Sequence, residues 1–592
     1  GPLISPPAMS RFAPFLALVL ALLASPALAQ GAAAPAPDAP AAVEAAEDIH
    51  DVPAGAEALD LGDDAHALDE GHGEGGDHGE EGGSHGPMPP VWLVIPFALL
   101  LGMIATGPLF YPHFWHHHYP KVAGGLGLLV AVYYLAVLKS GTPIVHAAEE
   151  YFAFIALLGS LYVASGCILI KTDFAGTPRA NVILLLVGAV LSNFIGTTGA
   201  SMLLIRPFMR LNAGRLKAYH IIFFIFIVSN VGGALTPIGD PPLFLGFLRG
   251  VPFFWTVVHV WYIWLPTVLL LAAVFYVIDS RNKETSLRGT AEAGGADVEP
   301  GAIPGARAVP EAEGVEDVAA IHTEGEVEID VTRAGANPKQ FEIEGKVGFA
   351  WLAVVIAAVF IDPKVIPAIE GTIIDLHHFG VPFGIREVIM GLVAFGAYKT
   401  ADKAILSGND FNFEPIKEVG FLFIGIFLTM QPALTLIGEF AAGNADALGV
   451  SAFYFGTGIL SGVLDNAPTY VSFLSAAMGK FGMDVNVPAM VTAFSVDGTE
   501  AFYLQAISVA SVFWGALTYI GNGPNFMVKA IAESSGVDTP SFVGYMVKYS
   551  LPILVPIYIV VWFVFFSGYV IPHPPDAAAH AIVESAGLLL RF

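Results

Sequence analysis

Ser229-Asn230-Val231-Gly232-Gly233-Ala234-Leu235-Thr236-Pro237-Ile238-Gly239-Asp240-Pro241-Pro242 interrupts an apolar run of about 217 to 249 that is otherwise long enough to cross a bilayer. A helix does not run smoothly through it, because proline removes a hydrogen-bond donor and glycine lowers the cost of leaving helical geometry. Unwound backbone is tolerated at membrane depth only where it lines a cavity or meets an ion. Asp240 sharpens the point, since a carboxylate there costs roughly 3 kcal/mol or more unless it is paired, protonated or cation-bound.

Three further interruptions match this one. Tyr519-Ile520-Gly521-Asn522-Gly523-Pro524-Asn525-Phe526 breaks a run of about 503 to 534. Ser192-Asn193-Phe194-Ile195-Gly196-Thr197-Thr198-Gly199 and Asp465-Asn466-Ala467-Pro468-Thr469 divide the stretches 180 to 209 and 451 to 480 into arms too short to span alone, which predicts two helical hairpins that enter and leave on one side. In each half the order is spans, hairpin, broken helix, closing span. Packing glycines and simple kinks would account for one such break, but four in matched order point to a transporter binding site. Each hairpin tip is expected to meet the break of its own half, giving two quasi-symmetric sites near the midplane.

Composition agrees. The 592 residues are 55% hydrophobic and 13% charged, which excludes an ordinary soluble enzyme. Other membrane-length runs fall at about 91 to 111, 122 to 139, 149 to 170, 254 to 279, 346 to 362, 385 to 398, 418 to 439 and 541 to 567, for about ten crossings in all. The fold class expected is an all-α polytopic membrane protein of two inverted repeats, each with a re-entrant helical hairpin and a discontinuous transmembrane helix.

From Met9, residues 9–29 have the pattern of a cleavable signal peptide, and residues 1–8 before it are set aside. Residues 30–88 form a His-rich acidic tail, expected to be disordered and periplasmic. The first repeat covers 90–283, a polar cytoplasmic linker 284–345, the second repeat 346–570 and a C-terminal tail 571–592. Much of the formal net charge of −26 sits in the tail and linker. Basic residues in short loops, Arg179, Arg210, Arg215, Lys217 and Arg281 among them, orient the chain with its N-terminus periplasmic in a bacterial inner membrane. Segment 486 to 500 has no clear place in this scheme.

Asp240 and Asp465 are the functional suspects: burial raises a carboxyl pKa and a bound cation lowers it, so H⁺ and Na⁺ compete for such a group. Each could instead cap a helix N-terminus. Glu149, Glu150 and Arg386-Glu387 read as interfacial groups, and Arg206 as a side chain that snorkels to the cytoplasmic surface. Metal binding in the tail is the weaker reading of His66, His72, His78 and His85, with His72, His78 and His85 its best ligands. The cluster His113, His116, His117 and His118 in PHFWHHHYP reads as a loop at the membrane surface. The one cysteine, Cys167, excludes a disulfide framework or thiolate cluster. Neither a phosphate-binding glycine loop nor a Ser/His/Asp signature occurs, so the chain reads as neither ATP-driven nor an enzyme.

On NVGGALTPIGDPPLF and the GNGPN break, the sequence resembles the ion-transporter superfamily of divalent-anion:sodium symporters, arsenite permeases, citrate–metal carriers and sodium:proton antiporters, over about residues 90 to 570. PHFWHHHYPKVAG, TGASMLLIRP, IGDPPLFLGFLRGVPFFW and LDNAPTYVSFL resemble, more narrowly, a bacterial branch described both as citrate transporters and as (NhaD-like) sodium:proton antiporters. The resemblance implies elevator-type alternating access, a homodimer, and ion sites at Ser192, Asn193, Thr197, Thr198, Asn230, Gly232, Thr236, Asp465, Asn466, Thr469, Asn522 and Asn525. Carboxylate symporters of the superfamily carry Ser-Asn-Thr at both tips, whereas this chain has Ser192-Asn193-Phe194 and Asp465-Asn466-Ala467, which weighs against a carboxylate. The D-type antiporters are threonine-rich where Pro241-Pro242-Leu243-Phe244 follows Gly239-Asp240 here. The expected function is Na⁺:H⁺ antiport, with Na⁺ and H⁺ as the transported or coupling ions and no other cofactor. The alternatives are a Na⁺- or H⁺-coupled carrier of citrate or another small anion, and a membrane-bound metal-binding or subunit-type protein; no nucleic-acid partner is expected.

Overall fold

The computed structural model describes residues 88–172, 174–284, 286, 341–362, 366, 369, 372, 381, 383–496 and 498–573. The signal segment, nearly all of the tail with its four histidines, Asp497, most of the linker and most of the C-terminal tail lie outside the described residues.

The chain is an all-α polytopic membrane protein. Among the described residues, eight helices are long and apolar enough to cross a membrane, and three apolar stretches are shorter. The chain order is α1 (Ile95–Phe110), α2 (Pro112–Ala136), α3 (Thr142–Gly166), β1 (Leu169–Thr172), α4 (Pro178–Leu211), α5 (Ala218–Ile227), α6 (Pro241–Arg249) and α7 (Trp255–Asp279). Then follow β2 (Phe341–Glu344), α8 (Val347–Val359), α9 (Ile385–Thr400), α10 (Lys403–Gly408), α11 (Glu414–Gly443), α12 (Val450–Val463), α13 (Asn466–Lys480), α14 (Pro488–Phe494), α15 (Gly498–Trp514), α16 (Gly523–Ser534) and α17 (Phe542–Phe566).

α4 is two helical arms, not one rod. Gly196 sits between them at φ 75°, a region in which a Cβ is strained, and the chain folds back there. A Cβ on Gly188 would lie 3.1 Å from Leu204, sixteen residues on, and Asn181 and Asn212 exchange two side-chain hydrogen bonds of 2.8 Å at the arms' far ends. α12 and α13 fold back in the same way at Leu464 and Asp465: a Cβ on Gly456 would lie 2.9 Å from Phe473. Both stretches therefore fold back as pairs of helical arms.

Two contact sets fix where their open ends lie. Asp279, at the end of α7, accepts from Arg215 (2.7 Å), Tyr219 (2.7 Å) and Asn181 (2.9 Å), so the first mouth sits where α5 begins. The end of α6 meets the chain just beyond the second mouth, through Arg249 on Asn486 (3.2 Å). The α5–α6 segment thus runs from one mouth toward the other.

A second group of helices holds this module. α11 packs on α2, α3 and α13, while α3 packs on α8, α9 and the first hairpin. Small residues permit close helix approach, as where Gly127 of α2 faces Gly425 of α11. Phe154 and Phe423 stack at 4.5 Å between α3 and α11. α13 also packs on α6 and α16 on α4, so the two halves interdigitate.

Several boundaries differ from expectation. PHFWHHHYP is the first turns of α2, because Pro112 fits a helix N-terminus, and His117 and His118 bond the carbonyls of His113 and Phe114 one turn back. The run of 149 to 170 ends as helix at Gly166; Leu169–Thr172 pairs antiparallel with Phe341–Glu344, so the last residues of the linker form a strand, with Lys171 on Glu344 at 2.5 Å. The unplaced segment is the short helix α14 and the first turn of α15. Arg206 is 8% exposed and paired with Asp410 at 3.2 Å. Glu150 pairs with Arg249 at 2.8 Å, and Arg386 bonds both Glu387 (2.6 Å) and Asp362 (2.5 Å).

Candidate binding site at the crossing of two hairpins and two breaks

Asp240 ends the break between α5 and α6, immediately before Pro241, and is 1% exposed. Its Oδ1 accepts from Thr197 Oγ1 (2.7 Å) and Asn522 Nδ2 (2.8 Å), and its Oδ2 from Asn466 Nδ2 (2.7 Å). Thr197 follows the turn of the first hairpin, Asn466 opens the second arm of the other, and Asn522 ends the second break. All four interruptions meet on one carboxylate.

The main chain shows why they meet. Thr197 N–H donates to Gly239 O at 2.8 Å, and Asn466 N–H to Gly521 O at 3.1 Å, so each tip bonds the break of its own half, as expected. Gly239 and Asp240 close the octapeptide Gly233-Ala234-Leu235-Thr236-Pro237-Ile238-Gly239-Asp240; Gly521 and Asn522 close Gly515-Ala516-Leu517-Thr518-Tyr519-Ile520-Gly521-Asn522. The two differ only at Pro237/Tyr519 and Asp240/Asn522. In both the glycines fold onto one another: a Cβ on Gly239 would overlap Gly233 O, and one on Gly521 would lie 2.5 Å from Gly515 O. This internal repeat is a signal the sequence reading passed over, and it brings Gly515, Thr518 and Gly521 into the site.

Most expected residues are here. Ser192 Oγ bonds Val228 O and Gly188 O, each at 2.8 Å. Asn193 donates to Gly232 O (2.7 Å), accepts at Oδ1 from Leu235 N–H (2.9 Å), and its own carbonyl accepts from Thr236 Oγ1 (2.6 Å). Asn230 donates to Asn525 Oδ1 at 2.6 Å, and Asn525 donates to the carbonyls of Gly515 and Thr518, each at 2.9 Å. Thr198 lines a cleft described below. Thr469 stays apart, bonding Asp465 O within its own helix at 2.8 Å. The Asp465 side chain accepts Ala467 N–H at 3.0 Å and caps α13. Asp240 and Asn522, which occupy equivalent positions in the two octapeptides, touch one another.

The donors on Asp240 are all neutral side chains, Thr197, Asn466 and Asn522, and among the described residues no Lys, Arg or His pairs with it. Asn466 Oδ1 is buried with no donor. A desolvated carboxylate beside an unsatisfied amide oxygen is a donor set for a small cation or a proton, since either supplies the positive charge the protein withholds. Among the described residues no group of three or more His, Cys, Asp or Glu could hold a metal ion.

A cleft opens between α3 and the first hairpin. Phe154, Leu157 and Tyr162 form one wall, and Gly196, Thr197, Thr198, Asp240 and Phe244 the other. No Lys, Arg or His lines it. No curated protein matches the chain. Residues 87–566, nearly the whole described fold, match the model of the family described as "Putative citrate transport", and the chain belongs to that family of multi-pass membrane transporters.

Proposed function

We propose that the protein is a secondary active carrier of a small carboxylate anion of the citrate type, driven by a cation or proton that binds at Asp240. The observation that carries this reading is the convergence of both hairpins and both breaks on one buried carboxylate served only by neutral donors. The family supports the cargo class. A coupling ion at Asp240 would neutralise the site before an anion enters the cleft beside it, and Na⁺ and H⁺ both fit a carboxylate with amide and hydroxyl oxygens. The two halves act as inverted repeats: hairpins and broken helices move together against the helices that include α2, α3 and α11, in an elevator-type exchange. The protein sits in a bacterial inner membrane with its N-terminus periplasmic, as a homodimer.

A second reading, Na⁺:H⁺ antiport with no anionic cargo, is favoured by the absence of any basic side chain among the cleft residues. Proteoliposomes separate the two. Labelled citrate uptake that follows an imposed Na⁺ or H⁺ gradient supports the carrier; Na⁺-driven proton movement with no citrate uptake replaces it with the antiporter.

A further inference from the structure

The cleft lacks a cation of its own, and a partly used guanidinium sits on the same hairpin arm, two turns further along. The other buried arginines each hold a carboxylate at 2.8 Å or less, Arg215 on Asp279, Arg386 on Glu387 and Asp362, and Arg249 on Glu150, although Arg249 Nε, like Arg206 Nη1, is buried without an acceptor. Arg206 is different. Its Nε and Nη2 converge on a single oxygen of Asp410, each at 3.2 Å, where a matched guanidinium–carboxylate pair would be nearer 2.7–2.9 Å. Its Nη1 is buried without an acceptor, while the Asp410 side chain is 65% exposed. The fork is therefore half used, by a partner that water can take back.

Helix geometry places this residue on the face that lines the cleft. Arg206 lies seven residues beyond Gly199 on the second arm of the first hairpin, hence on the same helix face and roughly 10 Å along it. Gly199 lines the cleft. Between them on that face, Met202 lies against Gly166 at the end of α3. On the opposite wall Tyr162 also lines the cleft, and its hydroxyl donates to Asn412 O at 2.8 Å, two residues from Asp410. The Arg206–Asp410 pair and the Tyr162–Asn412 bond thus reach the same segment, 410–412, from the first hairpin and from α3.

We infer that Arg206 is the specificity-determining residue for the anionic cargo: an entering carboxylate takes the guanidinium fork from Asp410. This rests on the carboxylate reading above. A bidentate fork discriminates a planar carboxylate from a spherical anion, which a lysine at this place would not do.

The test is labelled citrate uptake by the full chain in proteoliposomes at saturating coupling ion, with KM and maximal rate separated, for Arg206→Gln, Arg206→Lys and Asp410→Asn. Arg206→Gln is expected to raise KM by about tenfold or more with the maximal rate within about threefold, and Arg206→Lys to recover part of the loss. Asp410→Asn, which releases the fork, is expected to lower KM or leave it unchanged. A purely structural ion pair would make Arg206→Gln and Asp410→Asn behave alike, and that result, or an Arg206→Gln KM within about twofold of wild type, overturns the inference while leaving citrate transport standing. A wild-type protein that neither takes up citrate nor gains thermal stability in its presence overturns the carboxylate reading, and the role of Arg206 with it.

Discussion

Asn522 donates its side-chain amide to Asp240 at 2.8 Å across 282 residues of sequence, and the two hold the same position in a repeated octapeptide. The equivalence is broken by one atom pair, amide against carboxylate, so the shared centre carries a single negative charge from the two breaks.

Removing that charge is expected to uncouple the carrier. Asp240→Asn should abolish gradient-driven uptake and lower the melting temperature in detergent, because an amide presents one acceptor oxygen where three donors now arrive. Leaving a buried donor unmatched costs about 1–3 kcal/mol. Asp465→Asn is the companion experiment: asparagine also caps helices, so α13 should persist, and impaired coupling would then report the lost charge. Wild-type coupling in both variants would remove both carboxylates from the mechanism.

Asn522→Asp places a second carboxylate against the first. Two such groups in hydrogen-bond contact share a proton rather than ionise together. The variant is expected to bind one more proton per site and to show a steeper pH dependence of uptake than the wild type, measured at fixed Na⁺. An unchanged slope would mean the two side chains do not face one another.

The glycines of the repeated octapeptide allow the breaks to close on themselves. Gly239→Ala and Gly521→Ala each force a methyl group against the carbonyl of Gly233 or Gly515, and overpacking of this kind costs about 1–3 kcal/mol. Loss of transport and a lower melting temperature are expected in both. Gly523→Ala has open space around it and should be tolerated.

Glu150 holds the end of α6 to α3 through Arg249, and both side chains are largely enclosed. Glu150→Gln leaves the guanidinium with Asn486 and no counter-charge, for a stability loss of about 3 kcal/mol by analogy with other broken buried pairs. The melting temperature reads it directly. Exchanging the two residues should recover part of the loss.

How much of this was legible in the sequence follows from what each signal encodes. Spans were visible because bilayer thickness sets a length of apolar residues, and the breaks because proline and glycine act locally. Where helices begin was less visible: Pro112 and the histidines after it look like a loop by composition, yet they satisfy the rules for a first helical turn. The two hairpins were read from their polar tips. Long-range pairing was not legible. Nothing in a single sequence says that Asn466 and Thr197, one from each half, bond the same carboxylate, or that Arg206 finds Asp410. The repeat Gly-Ala-Leu-Thr-x-Ile-Gly was in plain view, and aligning its two copies matches Asp240 with Asn522.

The two-stranded ribbon has a practical consequence. Because Phe341–Glu344 is fastened to Leu169–Thr172, and Ser286 bonds Leu211 O at 3.1 Å, the connection between the halves is anchored to the first half at both of its ends. The two halves, co-expressed as separate polypeptides cut within 287–340, are therefore expected to co-purify as one complex.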